Sequence, residues 1–593
     1  MRFFSTLLAS IIGSLVALVL VVFFGFLILA AIVASTDIEP SVQPGSVLVM
    51  SLSGTFPEYV SRDPVQTALL GNASVDSYDL KHALKKAAAD KRIDAIWLQM
   101  RGVRASWGTL QEIREALVAF KKSGKPLYAS SGEYMMTERD YFLASVADSV
   151  FASPEAFFEF NGLYLEVMYY KGLLDALEID AEIVRAGEYK AAVEPYLRKD
   201  MSAENEEQLS TILESINSMV TGTIAGSRGH THAELKQLAR EAAILTAADA
   251  YEADLLDSLL FEDEVVALIK QRLEIDEDES LRRISLRSYI QTPDSKAGLS
   301  YGNDGQIAIV YAVGTIVNGT SDAGRSVIGS STFNKAMREA RDSDRVKAVV
   351  LRINSPGGSA TASDAMWREI SLTAEEKPVV VSMGDLAASG GYWIATAADT
   401  IIADPQTLTG SIGVFGVMFN VGRTLDSKLG ITTDRVRTSP YADMFSGMRT
   451  LEPQERALLT AAVNATYGQF VDKVAGSRGL DAAFVDEIGQ GRIWTGQQAL
   501  DLGLVDMLGS LDTAVEMAAE MAGLEEGQYR TRRIPRPKTF LEEFEDALMA
   551  RATRVLDPVG AIPGVRQYKD FLETTIAMQG AAQARMELEI SIQ

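Results

Sequence analysis

The first feature in the hydrophobic pattern lies at the amino end. No charged residue occurs between Phe3 and Ser35, and Leu7–Ala34 is almost wholly apolar. Crossing a bilayer takes about 20 apolar residues and a signal-peptide core about 7–15, so the pattern predicts a transmembrane helix over 7–34 behind a short cytoplasmic segment, 1–6. Arg2 precedes the run and Asp37 and Glu39 follow it, which leaves the amino terminus in the cytoplasm and the bulk of the chain on the far side. A cleavable signal ending near Val33–Ser35 is the alternative. After a polar spacer the apolar positions fall into short strand-like runs separated by stretches of helical period. VLVMSLSGT (47–55), IDAIWLQM (93–100) and PLYASS (126–131) alternate with a helix near 108–122. IAIVYAVGT (307–315), VKAVVLRI (346–353) and PVVVSM (378–383) alternate with a helix near 360–376. Such alternation indicates βαβ units and a mostly parallel sheet, so the predicted class is α/β.

The two series are copies of one another. ASVADSVFASPEAF (144–157) matches ATAADTIIADPQTL (395–408), which sets Asp148 against Asp399 at a shift of 251. AGSRG recurs at 225–229 and 475–479, and ILTAADAYEADLLDSL (244–259) matches IWTGQQALDLGLVDML (493–508). A nearly constant offset over roughly 150 residues implies two domains of one fold in tandem. The expected units are a first domain over 46–273, a polar, turn-rich linker over 274–305, a second domain over 306–525, and a tail over 526–593. That tail opens with the basic run RTRRIPRPK (530–538), followed by an amphipathic stretch at 540–556.

Composition narrows the chemistry. A formal charge of −24 with a pI near 4.7 argues against nucleic acid, whose phosphates call for Lys/Arg stripes. The absence of cysteine removes thiol nucleophiles, disulfides and most structural zinc sites. Of the three histidines, His82 sits in a charged helical pattern and reads as solvated; His230 and His232 follow AGSRG and read as part of a mobile loop. No metal site and no cofactor are expected.

What remains is a serine. INSPGGS (353–359) follows a strand, and its proline and glycines suit a loop that aims free N–H groups at an oxyanion. The first copy has MRGVRAS (100–106) there, without the paired glycines. In GDLAASGGYW (384–393), Ser389 stands where a strand turns into a helix, among small neighbours that leave its hydroxyl accessible. A lone serine of this kind is usually packing, and a lone PGG is usually a turn. The odds shift because the first copy has Glu138 opposite Ser389, so the copies differ at this position. With no placed histidine or cysteine, the base must be a lysine or a carboxylate. Lys190 is the candidate, with Ala442, or Tyr441 beside it, opposite in the second copy. A neutral lysine can activate serine where burial lowers its pKa, which requires Glu188 and Glu194 to face away from it.

At this point the residues resemble bacterial signal peptide peptidase A, the protease IV family of Ser–Lys peptidases, in its long, duplicated, membrane-anchored form. The resemblance spans roughly residues 45–525. It is carried by the tandem copies, the INSPGG loop, GDLAASGGYW, TGSIGVFG (409–416) and the lysine of EYKAAVEP. It implies two tandem Clp/crotonase-like domains, with Ser389 as nucleophile and Lys190 as general base. It also implies that Ser411 orients the lysine amine and that the N–H groups of Gly358 and Gly390 form the oxyanion hole. The assembly implied is a bowl-shaped homotetramer with an apolar groove, anchored by a single span in the bacterial inner membrane, its catalytic domains periplasmic. The expected activity is that of a serine endopeptidase degrading signal-peptide remnants and other apolar peptides. The rival readings are a crotonase-type acyl-CoA enzyme, which predicts neither anchor nor Ser–Lys pair, and a non-catalytic membrane scaffold.

Overall fold

The computed structural model describes residues 41–60, 75–132, 134–321, 326–534 and 583–585, with nine isolated helical positions between 6 and 24. The predicted span over 7–34 and the amphipathic stretch at 540–556 therefore lie largely or wholly outside the described residues. Among the described residues no helix is long and apolar enough to cross a membrane.

The first domain runs β1 (Ser46–Gly54), α1 (Ser77–Ala89), β2 (Ile93–Val103), α2 (Trp107–Lys121), β3 (Leu127–Ser131), α3 (Glu138–Ala144), β4 (Ser149–Ala152), α4 (Lys171–Leu177), β5 (Asp180–Ala186), α5 (Ala203–Arg228), β6 (Ser258–Leu259) and β7 (Arg283–Ser285). Its main sheet is parallel, in the order β6-β4-β3-β2-β1-β7.

The second domain opens with β8 (Gly305–Val313), β9 (Thr315–Val317), β10 (Val327–Gly329), β11 (Val346–Ser355), β12 (Gly357–Ser359), α6 (Ala360–Ala374), β13 (Val379–Ala388), α7 (Gly390–Ala395), β14 (Thr400–Ala403) and β15 (Leu408–Gly410). It continues with β16 (Val414–Asn420), α8 (Gly422–Leu429), α9 (Pro453–Arg478), β17 (Ile493–Thr495), β18 (Met507–Leu508), α10 (Leu511–Met521) and β19 (Tyr529–Ile534). Its main sheet repeats the first as β18-β14-β13-β11-β8-β19, with β15 and β17 added beyond β13. Parallel strands are covered on both faces, which is why they read as unbroken apolar runs rather than alternating ones.

The repeat extends to single hydrogen bonds. The Asp148 carboxylate accepts from Leu127 N at 2.8 Å, and Asp399 from Val379 N at 2.8 Å. Tyr141 Oη donates to the Leu255 carbonyl and Tyr392 Oη to that of Leu504, each at 2.7 Å. These anchors hold α3 and α7, and so the positions of Glu138 and Ser389, at one place in each domain.

The boundaries differ from those expected. Within the segment read as a linker, Arg283–Ser285 pairs with β1, and in the expected tail Tyr529–Ile534 pairs with β8. Each is the last strand of its sheet, and its charged composition hides it. Arg533 of β19 turns to α1, its guanidinium 2.9 Å from the Asp76 carboxylate, which also caps that helix. The strand of GDLAA also runs further than expected: β13 continues to Ala388, and the helix begins at Gly390.

Candidate active site

The two domains meet through a third sheet, ordered β10-β9-β12-β20-β16-β5, where β20 is Gln583–Arg585. In it β5 of the first domain pairs antiparallel with β16 of the second from Val414↔Ala186 to Asn420↔Asp180. The ladder ends one residue after Gly413 and four before Lys190, so it delivers the lysine to the serine's domain. Lys190 Nζ lies 2.8 Å from Ser389 Oγ across 199 residues of sequence, 3.0 Å from Ser411 Oγ, and 3.1 Å from the Ser411 carbonyl. Ser389 is fully buried and Lys190 is 1% exposed.

Ser389 has φ 54° and ψ −115°, outside the regions a side chain favours, and Ser411 has φ 49°. Backbone strain of this kind persists only where the surroundings enforce it. Here β13 and α7 turn sharply at Ser389, whose N–H donates to the Gly410 carbonyl at 2.8 Å. Gly390 begins α7, and β12, which carries Gly358, packs against that helix. Gly358 has no room for a side chain: a Cβ would stand 2.0 Å from the Ile316 carbonyl oxygen.

Burial alone depresses the Lys190 amine, down to about 7. Glu188 is exposed, while buried Glu194 accepts from Asn205 Nδ2 at 3.2 Å and Ser202 N at 3.3 Å. Both carboxylates thus face away, as a neutral lysine requires. In the first domain Glu138 heads α3, buried, its carboxylate 2.7 Å from Gly162 N and pushed up to about 7 by desolvation.

Sequence reasoning missed the lysine's sheath. Gly491 has φ 79°, and a Cβ there would lie 2.7 Å from Lys190 Cβ; at Gly413 it would lie 3.1 Å from Lys190 Cδ. These glycines let the backbone close over the lysine stem and exclude water. Their signal is only two more glycines among the chain's 46. Also missed was a buried ionic network at the domain seam. Arg352 of β11 binds Glu58 at 2.8 Å and Glu112 of α2 at 2.7 Å, and Glu112 binds Lys81 at 2.6 Å. Asp385, four residues before Ser389, accepts from Thr109 N and Oγ1 of α2 at 2.7 and 2.8 Å. The N-cap residue of α2, Ser106, makes no side-chain cap bond, so the other domain supplies the cap.

The histidines stand apart from this site. His82 is not solvated as expected: its Nε2 lies 2.8 Å from Asp294 Oδ1. His232 opens a helix, His232–Arg240, rather than lying in a loop.

A serine hydroxyl and an amine in hydrogen-bond reach, beside a glycine loop on a parallel α/β scaffold, are the pairing found in one class of serine peptidases. The profile of Peptidase family S49 matches residues 119–276 and 371–525, and that of Clp protease matches 331–407. The chain belongs to peptidase family S49 and is a serine peptidase. It is 33% identical over 553 residues to the chloroplastic serine protease SPPA of Arabidopsis thaliana, covering 92% of this chain and 78% of the relative. It is 37% identical to Protease 4 of Salmonella typhi, covering 76% and 72% of the two chains, and 34% identical to Protease 4 of Haemophilus influenzae, covering 75% and 73%. Among solved structures, a Listeria monocytogenes ClpP1 mutant aligns with TM-score 0.24 at 13% identity, covering 35% of this chain and 94% of that one.

Proposed function

We propose that this chain is a membrane-bound serine endopeptidase that uses a Ser389–Lys190 dyad to degrade cleaved signal peptides and other apolar peptides outside the cytoplasm, anchored by one span in a bacterial inner membrane. The observation that carries the dyad is the 2.8 Å approach of an amine held near neutrality to a strained, buried serine hydroxyl. Neutral Lys190 accepts the Ser389 proton as Oγ attacks the scissile carbonyl carbon. The N–H groups of Gly358 and Gly390 donate to the oxyanion. Collapse breaks the C–N bond, the Lys190 ammonium protonates the leaving amine, and a water deprotonated by Lys190 then releases the acyl group. Ser411 orients the amine through its hydroxyl and carbonyl.

The anchor rests on the Leu7–Ala34 run, and the apolar substrate on the resemblance to signal peptide peptidase A. Assembly into a homo-oligomer, proposed as a tetramer, draws support from two strand-like segments, which bear on the ring and not on its number of copies. The counterparts of β16 and β5 in the other copies, residues 163–170 and 431–437, lack partner strands among the described residues and expose Tyr164, Met168, Ile431 and Val436. Pairing 431–437 of one protomer with 163–170 of the next would repeat the internal ladder and close a head-to-tail ring.

Labelling with a fluorophosphonate, read by mass spectrometry, tests the dyad. One adduct per chain is expected, on Ser389, with Lys190→Ala slowing its formation by two orders of magnitude or more. Labelling elsewhere, or at an undiminished rate in Lys190→Ala, would refute it. Apolar signal-peptide fragments should be cut faster than charged soluble peptides by the same preparation.

A further inference from the structure

One short loop of the second domain, residues 489–492, holds both the candidate base and the residue that orients it. The Gln490 carbonyl accepts from Tyr189 N at 2.9 Å, one position before Lys190, and the Arg492 carbonyl accepts from Ser411 N at 2.7 Å. Gln490 and Gly491 have left-handed backbone, with φ 51° and 79°. A side chain tolerates that conformation only where its surroundings impose it. Across the loop Gly187 leaves room for it, since a Cβ there would stand 2.5 Å from the Gln490 carbonyl. The Gln490 amide donates to Asp486 Oδ1 at 2.7 Å and to Tyr467 Oη at 3.3 Å. The Arg492 guanidinium lies over the rings of Tyr189 and Trp494, 4.8 and 4.6 Å from their centroids, and 3.0 Å from Glu207 Oε1 of α5. Trp494 is itself fixed, paired with Thr409 in the sheet and donating from Nε1 to the Ile488 carbonyl at 3.0 Å. Tyr189 and Glu207 belong to the first domain and Trp494 to the second, so one side chain ties the lysine's loop to the serine's sheet.

We infer that Arg492 is a positioning residue of this site: stacked between Tyr189 and Trp494, it clamps loop 489–492 over the Lys190 stem and keeps Ser411 against the amine. The inference rests on the proposed Ser389–Lys190 dyad and concerns what holds its base in place. A guanidinium attracted to two ring faces resists opening of the loop. Without that stack the loop lifts, water reaches the amine, and the charged form becomes easier to reach. The other charged and titratable groups around the lysine loop are Arg185, at the Lys190 carbonyl, Glu194, turned to Ser202 and Asn205, exposed Glu188, Glu207 on Arg492, and Asp486 with Tyr467. Among the described residues the amine's own hydrogen bonds go to Ser389 and Ser411. Its environment therefore depends on the cover that the loop supplies.

The experiment compares the unsubstituted chain with Arg492→Ala and Arg492→Met on one soluble apolar fluorogenic peptide across pH. Methionine keeps a long stem against the two rings and loses the charge, whereas alanine leaves the rings unbridged. Alanine should move the inflection of kcat/KM to higher pH by about one unit, lowering the rate about tenfold on the acid side and sparing the alkaline plateau. Methionine should recover about half of that shift or more. An inflection that stays in place in Arg492→Ala, even with a lowered Tm, would overturn the inference. Equal shifts in both variants would also overturn it, because they would assign the effect to the charge of Arg492 and not to its cover. A second arm needs no turnover: on Ser389→Ala backgrounds, acetylation of Lys190 by acetic anhydride is read by mass spectrometry against exposed Lys122. Arg492→Ala should speed it roughly tenfold by opening the loop. Equal rates would overturn the clamp even if the peptidase reading stands. Faster acetylation, in a protein whose Lys190→Ala form still hydrolyses peptide, would support the clamp and sink the dyad instead.

Discussion

The depressed amine of Lys190 makes a quantitative prediction about pH. With its pKa near 7, the neutral fraction is about one-tenth at pH 6 and about nine-tenths at pH 8, so kcat/KM should rise about tenfold across that interval. The same burial has a stability cost of opposite bearing. The unfolded chain holds this proton up to a pKa of 10.5 and the folded one releases it near 7; between the two the unfolded state binds more protons. Stability therefore rises with pH through that window, and the penalty is fully present below pH 7 and gone above 10.5. Its size is on the order of 5 kcal/mol if the folded state keeps its geometry.

Lys190→Met separates this group from all others. Methionine keeps the apolar stem and removes the amine, so unfolding free energies of the two proteins, measured by denaturant titration from pH 6 to 10, should differ most at the acid end and converge at the alkaline end. The amine touches the Ser389 and Ser411 hydroxyls and the Ser411 carbonyl, and the Arg185 guanidinium reaches the Lys190 carbonyl at 3.4 Å. No other titration is therefore expected to produce this difference. A pH-independent difference, together with a rate inflection near 10, would show that the amine is charged in the folded protein and refute the argument.

Other consequences are checked more simply. Ser389→Ala and Lys190→Ala should each abolish hydrolysis and their combination should be no worse, whereas alanine at His82, His230 or His232 should leave turnover intact; a histidine variant as inactive as Ser389→Ala would overturn the assignment. Arg352→Met leaves buried Glu58 without its cation and Glu112 with Lys81 alone, and should destabilise by about 3–5 kcal/mol in denaturant unfolding; a loss below about 1 kcal/mol would mean that water reaches the seam. Asp385→Ala uncaps α2 and should cost about 1 kcal/mol, read as a lowered Tm; an unchanged Tm would show that Ser106 takes over the cap. Val436→Pro should prevent the inter-protomer ladder and yield monomers by light scattering, and a retained oligomer would place the interface elsewhere.

The sheet order and the two halves of the candidate site were legible because the chain states them twice. Apolar runs marked each central strand, and the substitutions Ser389/Glu138 and Lys190/Ala442 singled out the positions where the copies differ. The edge strands were not legible. Arg283–Ser285 and Tyr529–Ile534 are short and charged, being edge strands with no further partner strand among the described residues, so they carry no apolar signature. Nor were the partners of Arg352 and Asp385 predictable. They join residues 294, 240 and 276 positions apart, and local pattern says nothing about such pairs.

These long-range bonds explain how a site divided between two domains can be held to hydrogen-bonding distance. Lys190 reaches Ser389 on the β5–β16 ladder, whose seven residue pairs are exposed to shearing if the domains slide. Sliding is resisted on the opposite side of the nucleophile's strand, where Asp385 grips the first turn of α2 and Arg352 joins β11 to Glu58 and α2. A charge network in the interior stabilises little compared with apolar packing of the same volume, but it tolerates only one register, because any displacement leaves a charge unpaired in a medium that cannot solvate it. Non-directional apolar contacts would hold the domains together without fixing the lysine to within tenths of an ångström. The seam trades stability for registration, and the proposed dyad depends on it as directly as on the two side chains that compose it.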